Sequence, residues 1–299
     1  MSHDIKPFKT INEQIEILTK RGLIIDDIEE AERYLLNLNY YRISAYSLTL
    51  RKDNNFYTNI HFSDIMQIYN FDMELRASLL YLLEFIEVSI RTHIGYYHAK
   101  SYGPLGYLDS ATFKDLYRYE KFKVDYENAI EEYGSKEAFV KHHKDVYNGQ
   151  FPIWALVELL SFGSLSRVFK NLNREIQDEI CKNNYGRIGE IYIENWLQGF
   201  TILRNICAHR GRIYNREIPF SLRLQKRDKV ILSNNGLYIN RATKQLFVYL
   251  FVAKKIVTEP QIWHTFIDRF LTLIKKYPFV NLSNYGFPEN WKALLHIKE

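Results

Sequence analysis

From Ser63 onward, Ile65, Ile68, Leu75, Leu79, Leu82, Ile86, Ile90 and Ile94 follow one another at steps of three, four or seven residues. Such steps bring side chains onto one face only in a helix, where each residue turns by about 100°. The seam runs until Ser101-Tyr-Gly-Pro-Leu-Gly106 breaks it, with a kink expected near Phe71-Asp72. The other face carries Asp72, Arg76, Glu84, Glu87, Arg91 and His98. One long helix with an apolar seam must be covered by further helices, so the rest of the chain is constrained to supply them.

It does. Thr10-Ile-Asn-Glu13 fits a capping box, and Ile11, Ile15 and Leu18 follow at helical spacing before Gly22 ends the pattern. Asp26, with Glu29 three residues on, opens a second helix toward Leu38. The aromatic segment Asn39–Tyr46 packs its rings and holds Arg42 in place. Further helices are expected over Phe113–Tyr133, Glu137–Tyr147, Ile153–Ser161, Leu165–Leu172, Arg174–Asn183, Ile188–Ile213, Ala242–Lys255 and Gln261–Lys276. Lys229–Ile239, with Asn234-Asn-Gly236 between apolar triplets, reads as a hairpin. The expected architecture is all-α, with an N-terminal helical lobe over residues 1–62 and a larger helical domain over 63–299 in one compact unit.

Hydrophobic residues make up 46% and charged ones 25%, a balance that supports a real core. No apolar run is long enough to cross a bilayer, and the first six residues lack the apolar stretch of a secretory signal. Two cysteines, Cys181 and Cys207, are too few for a disulfide framework. A cytoplasmic protein without a membrane partner is the expectation. Charge is uneven: residues 201–299 hold 17 Lys/Arg against 6 Asp/Glu, whereas the first 200 hold 23 against 29. A basic segment on an acidic body points to a polyanionic partner, met locally.

Within that basic segment lies Leu203-Arg-Asn-Ile-Cys-Ala-His-Arg-Gly-Arg-Ile-Tyr-Asn-Arg216. Its kernel is Arg204 and, five residues on, His209, a spacing that arises easily by chance. The helical wheel adds weight. Ile202, Leu203, Ile206, Cys207, Ile213 and Tyr214 fall on one side; Arg204, Asn205, Ala208, His209, Arg212, Asn215 and Arg216 fall on the other. Only Arg210 breaks the division, provided the helix survives Gly211. That polar arc contains no carboxylate. An ordinary solvated face mixes signs, so crowding like charges fits a face built for an anion.

These residue types suit RNA cleavage. Attack of a ribose 2′-OH on the adjacent phosphate needs one proton removed, another delivered to the leaving 5′-oxygen, and developing charge neutralised. An imidazole can move protons near neutral pH. A guanidinium can fork onto two phosphate oxygens. The substrate supplies its own nucleophile, so DNA is spared and no metal or cofactor is called for. Neither His93/His98 nor His142/His143 has helical zinc spacing, and the glycines form no phosphate loop.

The motif resembles that of the HEPN ribonucleases: Arg, a polar residue, three variable residues and His, here Arg204, Asn205 and His209. The resemblance widens to the Abi-like proteins of the AbiD/AbiF type, bacterial abortive-infection factors. It rests on Leu38–Tyr46, Tyr69–Arg76, Glu84–Arg91, Tyr102–Pro104, Pro152–Glu158, Ser161–Ser166, Arg204–His209 and Asn215-Arg216. Where the family often has a second His after the first, this chain has Arg210. The resemblance implies a HEPN-like helical bundle with additional C-terminal helices, RNA as substrate, and a toxic endoribonuclease activity held in check until triggered. Arg204, Asn205 and His209 would be catalytic, and Arg212, Asn215, Arg216, Arg42, Tyr41 and Arg91 would contact RNA. Glu87 would support Arg204. With one motif per chain, a homodimer whose two motifs face each other is expected, and a regulatory noncoding RNA is a possible second partner. The competing reading is a catalytically silent RNA-binding module; a metal nuclease built on Glu84 and Glu87 is the third.

Overall fold

The computed structural model describes residues 5, 7–134, 136–186 and 188–297. Of the segment read above for a secretory signal, only Ile5 lies among them. Three helices come first: α1 (Ile11–Lys20), α2 (Ile28–Leu38) and α3 (Tyr40–Tyr46). Thr10 caps α1 in a complete capping box with Glu13, as its spacing predicts. The cap of α2 is Asp27 rather than Asp26: Asp27 accepts from the Glu30 amide at 2.8 Å, whereas Asp26 lies 2.6 Å from the His61 Nδ1. Asn39, at φ 65°, breaks α2 from α3 and accepts from the Tyr41 amide. A two-residue-per-strand hairpin, β1 (Arg51–Lys52) with β2 (Asn55–Phe56), follows.

The seam helix is α4 (Phe62–Tyr102), 41 residues long, and it stays helical through Phe71-Asp72. Every residue of the predicted seam, from Ile65 to Ile94, is buried. After it come α5 (Leu116–Tyr133), α6 (Ala138–Val146), α7 (Ile153–Leu156), α8 (Phe162–Asn171), α9 (Arg174–Asn184) and α10 (Glu190–Ala208). The chain closes with α11 (Lys226–Asn234), α12 (Ile239–Ala242), α13 (Leu246–Ile256), α14 (Pro260–Lys276) and α15 (Trp291–Leu294). The architecture is all-α. The hairpin expected over Lys229–Ile239 is instead α11 and a turn: Leu232 is buried, and Gly236, at φ 80°, ends the helix. The Asn-Asn-Gly signal was that of a helix stop.

α4 is the axis of the core, packed by α14, α10, α7, α8, α9 and α3. The C-terminal helices are therefore structural and not appended. Phe71 of α4 meets Phe270, Tyr277 and Tyr285, and Glu74 pairs with Lys276 at 2.7 Å. In α13 every residue from Leu246 to Ala253 is buried. Gly95 lets α4 pass close to α7, since a Cβ there would stand 3.0 Å from the Trp154 Cα. Two histidines of α4 face inward. His98 is fully buried, with Nε2 3.2 Å from the Thr112 hydroxyl; His93 has Nδ1 3.0 Å from the Tyr185 hydroxyl. Burial pulls both imidazoles down to about 4. Among the described residues, no helix is long and apolar enough to cross a membrane.

Candidate active site

The motif segment ends a helix and does not continue one. α10 stops at Ala208, His209 is its C-cap, and Arg210 takes a left-handed φ of 58°. The Gly211 amide then donates to the Ile206 carbonyl (2.7 Å) and the Arg210 amide to that of Cys207 (3.1 Å). This pair of reversed bonds is a Schellman turn. The helix expected to run to Ile213 is thus corrected at its end, and the ridge Asn205–His209–Arg212–Arg216 does not exist as a helical face. Gly211 fits the turn because a Cβ there would press on the Ile206 carbonyl oxygen at 3.1 Å.

Beyond the turn the chain is pinned by Asp72. This fully buried carboxylate accepts from the Ile213 amide (3.3 Å), the Tyr214 amide (3.0 Å), and the hydroxyls of Tyr46 (2.7 Å) and Tyr285 (3.1 Å). It also pairs with buried Arg76 one turn along α4. Burial pushes the Asp72 carboxyl above the usual carboxylate range, against the pull of the Arg76 charge. Five donors on one carboxylate fix where residues 213 and 214 lie, and so fix the exit of the motif turn. Asp72 was visible in the sequence only as one polar residue on the far side of the seam.

Arg204 is fixed from another side. Its guanidinium lies 3.6 Å from the Glu87 carboxylate, and its Nη1 donates to the Asn205 side chain at 3.4 Å. Glu87 is itself paired with Arg91 at 3.1 Å, and Arg91 also reaches the Glu158 carboxylate and the Leu160 carbonyl. Arg91, expected at the RNA, is thereby committed to carboxylates and carbonyls with its side chain only 14% exposed. The geometry makes it the residue that holds Glu87. Glu84, by contrast, is exposed and in no ion pair among the described residues.

Asn205 and His209 are exposed, and Arg204 is half-buried with its side chain 38% accessible. Arg42 of α3 donates to the Arg210 carbonyl at 3.1 Å, which brings α3 against the turn; Tyr41 beside it is largely exposed. Arg212 is half-buried, its Nη1 bound to the carbonyls of Tyr214 and Asn215. Asn215, at φ 45°, donates its amide to the Asn284 carbonyl, and Arg216 is exposed. The structure therefore gathers Arg204, Asn205, Glu87 and Arg91 at one place, with His209 at the helix end and Arg42 behind the turn. Arg212 belongs to the loop's own scaffold. Cys207 is buried, its thiol pushed up to about 12 by burial, which suits packing and not nucleophilic attack. Among the described residues no three His, Cys, Asp or Glu side chains are grouped so as to hold a metal ion.

Chemically, the site offers an exposed imidazole at the end of α10 and, five residues before it, a guanidinium paired with a carboxylate that is itself largely buried. Such a pair can bind an anion and move a proton. Residues 33–215 match the family model described as Abi-like protein. No curated protein and no solved structure matches the chain.

Proposed function

The chain belongs to the Abi-like protein family, and from that premise we propose that it is a metal-independent endoribonuclease of the HEPN superfamily acting in bacterial phage defence. One observation carries the reading: Arg204 is oriented by Glu87, next to Asn205, on the last turn of the helix that His209 caps. Neither the ion-paired Arg204 nor the exposed His209 belongs to the buried core.

In this reading His209 transfers protons to and from the 2′-OH and the leaving 5′-oxygen. Arg204 neutralises charge on the phosphate as it grows, and Asn205 sets the angle of Arg204 or of the phosphate. Because a single imidazole must otherwise serve as base and then as acid, the active species is a homodimer with two motifs facing across a two-fold axis. Its site of action is the cytoplasm, and a noncoding RNA that restrains the toxic activity would be a natural second partner.

The test is direct. Purified protein incubated with total RNA in EDTA should leave 2′,3′-cyclic phosphate ends. His209→Ala and Arg204→Ala should each lower cleavage by about 10²–10⁴-fold with melting curves unchanged. A strict need for Mg²⁺, or 3′-hydroxyl ends, would refute the mechanism. A folded, fully active His209→Ala chain would refute the role given to His209, and a folded wild type that binds RNA without cutting it would leave only a silent RNA-binding module.

A further inference from the structure

The face of α10 that ends in Asn205 and His209 does not begin there. Glu194, Gln198, Thr201 and Ile202 precede them at the three- and four-residue steps of one helical stripe, and all four line a cavity of about 570 Å³ between α5, α8 and α10. With a rise of about 1.5 Å per residue, Thr201 lies only ~6 Å before Asn205 along the axis. The cavity therefore opens about one helical turn from the candidate site, on the same side of the same helix. A second recess, about 430 Å³, continues it outward along α5 past Tyr117.

The lining has the chemistry of a polyanion track. Arg118, Lys121 and Lys170 are exposed and in no ion pair among the described residues. Of the acidic groups nearby, Glu120 on the outer recess is exposed and in no ion pair among the described residues, and the other three are engaged. Asp115 caps α5 by accepting from the Arg118 amide at 2.8 Å. Asp125 pairs with Arg167 at 2.6 Å, and Glu194 accepts from Gln177 at 3.0 Å. Tyr117 is 69% exposed, with the Lys121 ammonium 4.5 Å above its ring centre. An exposed ring between free cations, beside a concave wall, matches how single-stranded nucleic acid is held: phosphates on cations, a base on a flat ring.

We propose that this groove is a subsite for single-stranded RNA, receiving the nucleotides that flank the bond presented to Arg204 and His209. The proposal rests on the ribonuclease reading for its substrate, and its test can fail separately. Lys121 and Lys170 stand on opposite walls and bind phosphates; Tyr117 stacks a base at the outer end. Unpaired strands enter, whereas a duplex has no splayed base to offer the ring.

The probe is a fluorescently labelled, 2′-O-methylated single-stranded RNA, which lacks the nucleophile and so reports binding by the unaltered full chain without cleavage. Lys121→Glu/Lys170→Glu should weaken binding by about tenfold or more and flatten log affinity against log salt by ~0.7 per lost contact. Gly163→Leu, which projects into the groove where a Cβ would meet Thr201 at 3.5 Å, Arg167 at 3.6 Å and Ser161 at 3.8 Å, should weaken binding without altering charge. This second variant decides the matter if the double variant fails to fold. If the wild type binds while folded variants keep its affinity and salt slope, the groove is not an RNA subsite, and the ribonuclease reading stands. If the wild type binds no RNA at all, both readings fall, and a protein partner becomes the better occupant.

Discussion

Glu87 lies between two guanidiniums, and that position gives it a consequence out of proportion to its exposure. Its carboxylate takes Arg91 on one oxygen and Arg204 on the other. Neutralising it leaves the fold's hydrogen bonds almost intact but frees the Arg204 side chain to turn. Since a misplacement of about 1 Å can cost ~10²-fold in rate, Glu87→Gln should slow cleavage by up to that factor, with little change in melting temperature. Comparing kcat with KM on one RNA checks this: a fall in kcat at near-constant KM marks a positioning residue, and a rise in KM alone would not. At this scale the sequence was readable where residue type and spacing coincide, as at the helical step from Glu87 to Arg91. It was silent on Asp72, because a single carboxylate opposite an apolar seam looks the same whether solvent or five donors surround it. Arg212 has surroundings that spacing did not foretell for a related reason. Its charge resembled a phosphate ligand, yet its Nη1 serves two carbonyls of its own loop.

Elements were legible from periodicity and illegible at their ends. The α4 seam, the α1 cap and the two long C-terminal helices follow from apolar spacing and capping residues. The end of α10 did not, because Arg210 occupies the left-handed position where glycine is usual, while the glycine stands one residue later. The helical wheel ran on through Gly211 and placed Ile213 and Tyr214 correctly inside, though a loop puts them there. A left-handed non-glycine residue costs roughly 1 kcal/mol. Arg210→Gly should therefore stabilise the protein by about that amount in urea unfolding, without loss of cleavage. A destabilised variant would mean that the side chain of Arg210 contributes contacts of its own.

For the molecule as a whole, His93 and His98 set how stability depends on pH. Both are held near 4 in the fold, while an unfolded histidine titrates near 6.5. The folded chain then binds fewer protons than the unfolded chain below that value, so stability falls as pH falls from about 6.5 toward 4. Between pH 6.5 and 5, before carboxylates contribute much, each group accounts for up to ~2 kcal/mol. Urea unfolding at pH 7, 6 and 5 should show this loss, and His98→Phe should flatten it by about half. Association is the other property of this scale. If two motifs share a site, specific activity should drop on dilution in step with the dimer fraction measured by light scattering. A monomer with undiminished activity would end the composite site and leave His209 in place.

The donors on Asp72 come from far apart: Tyr46 before α4, Arg76 on it, Ile213 and Tyr214 after the motif, and Tyr285 near the C-terminus. The stretch that carries the family likeness stops at residue 215, seventy residues short of the last of these. The recognisable part is therefore not an inheritable cassette. Moved alone into another protein, it would carry Arg204 and His209 but leave behind the tyrosine and the aromatic wall of α14 that close over Phe71.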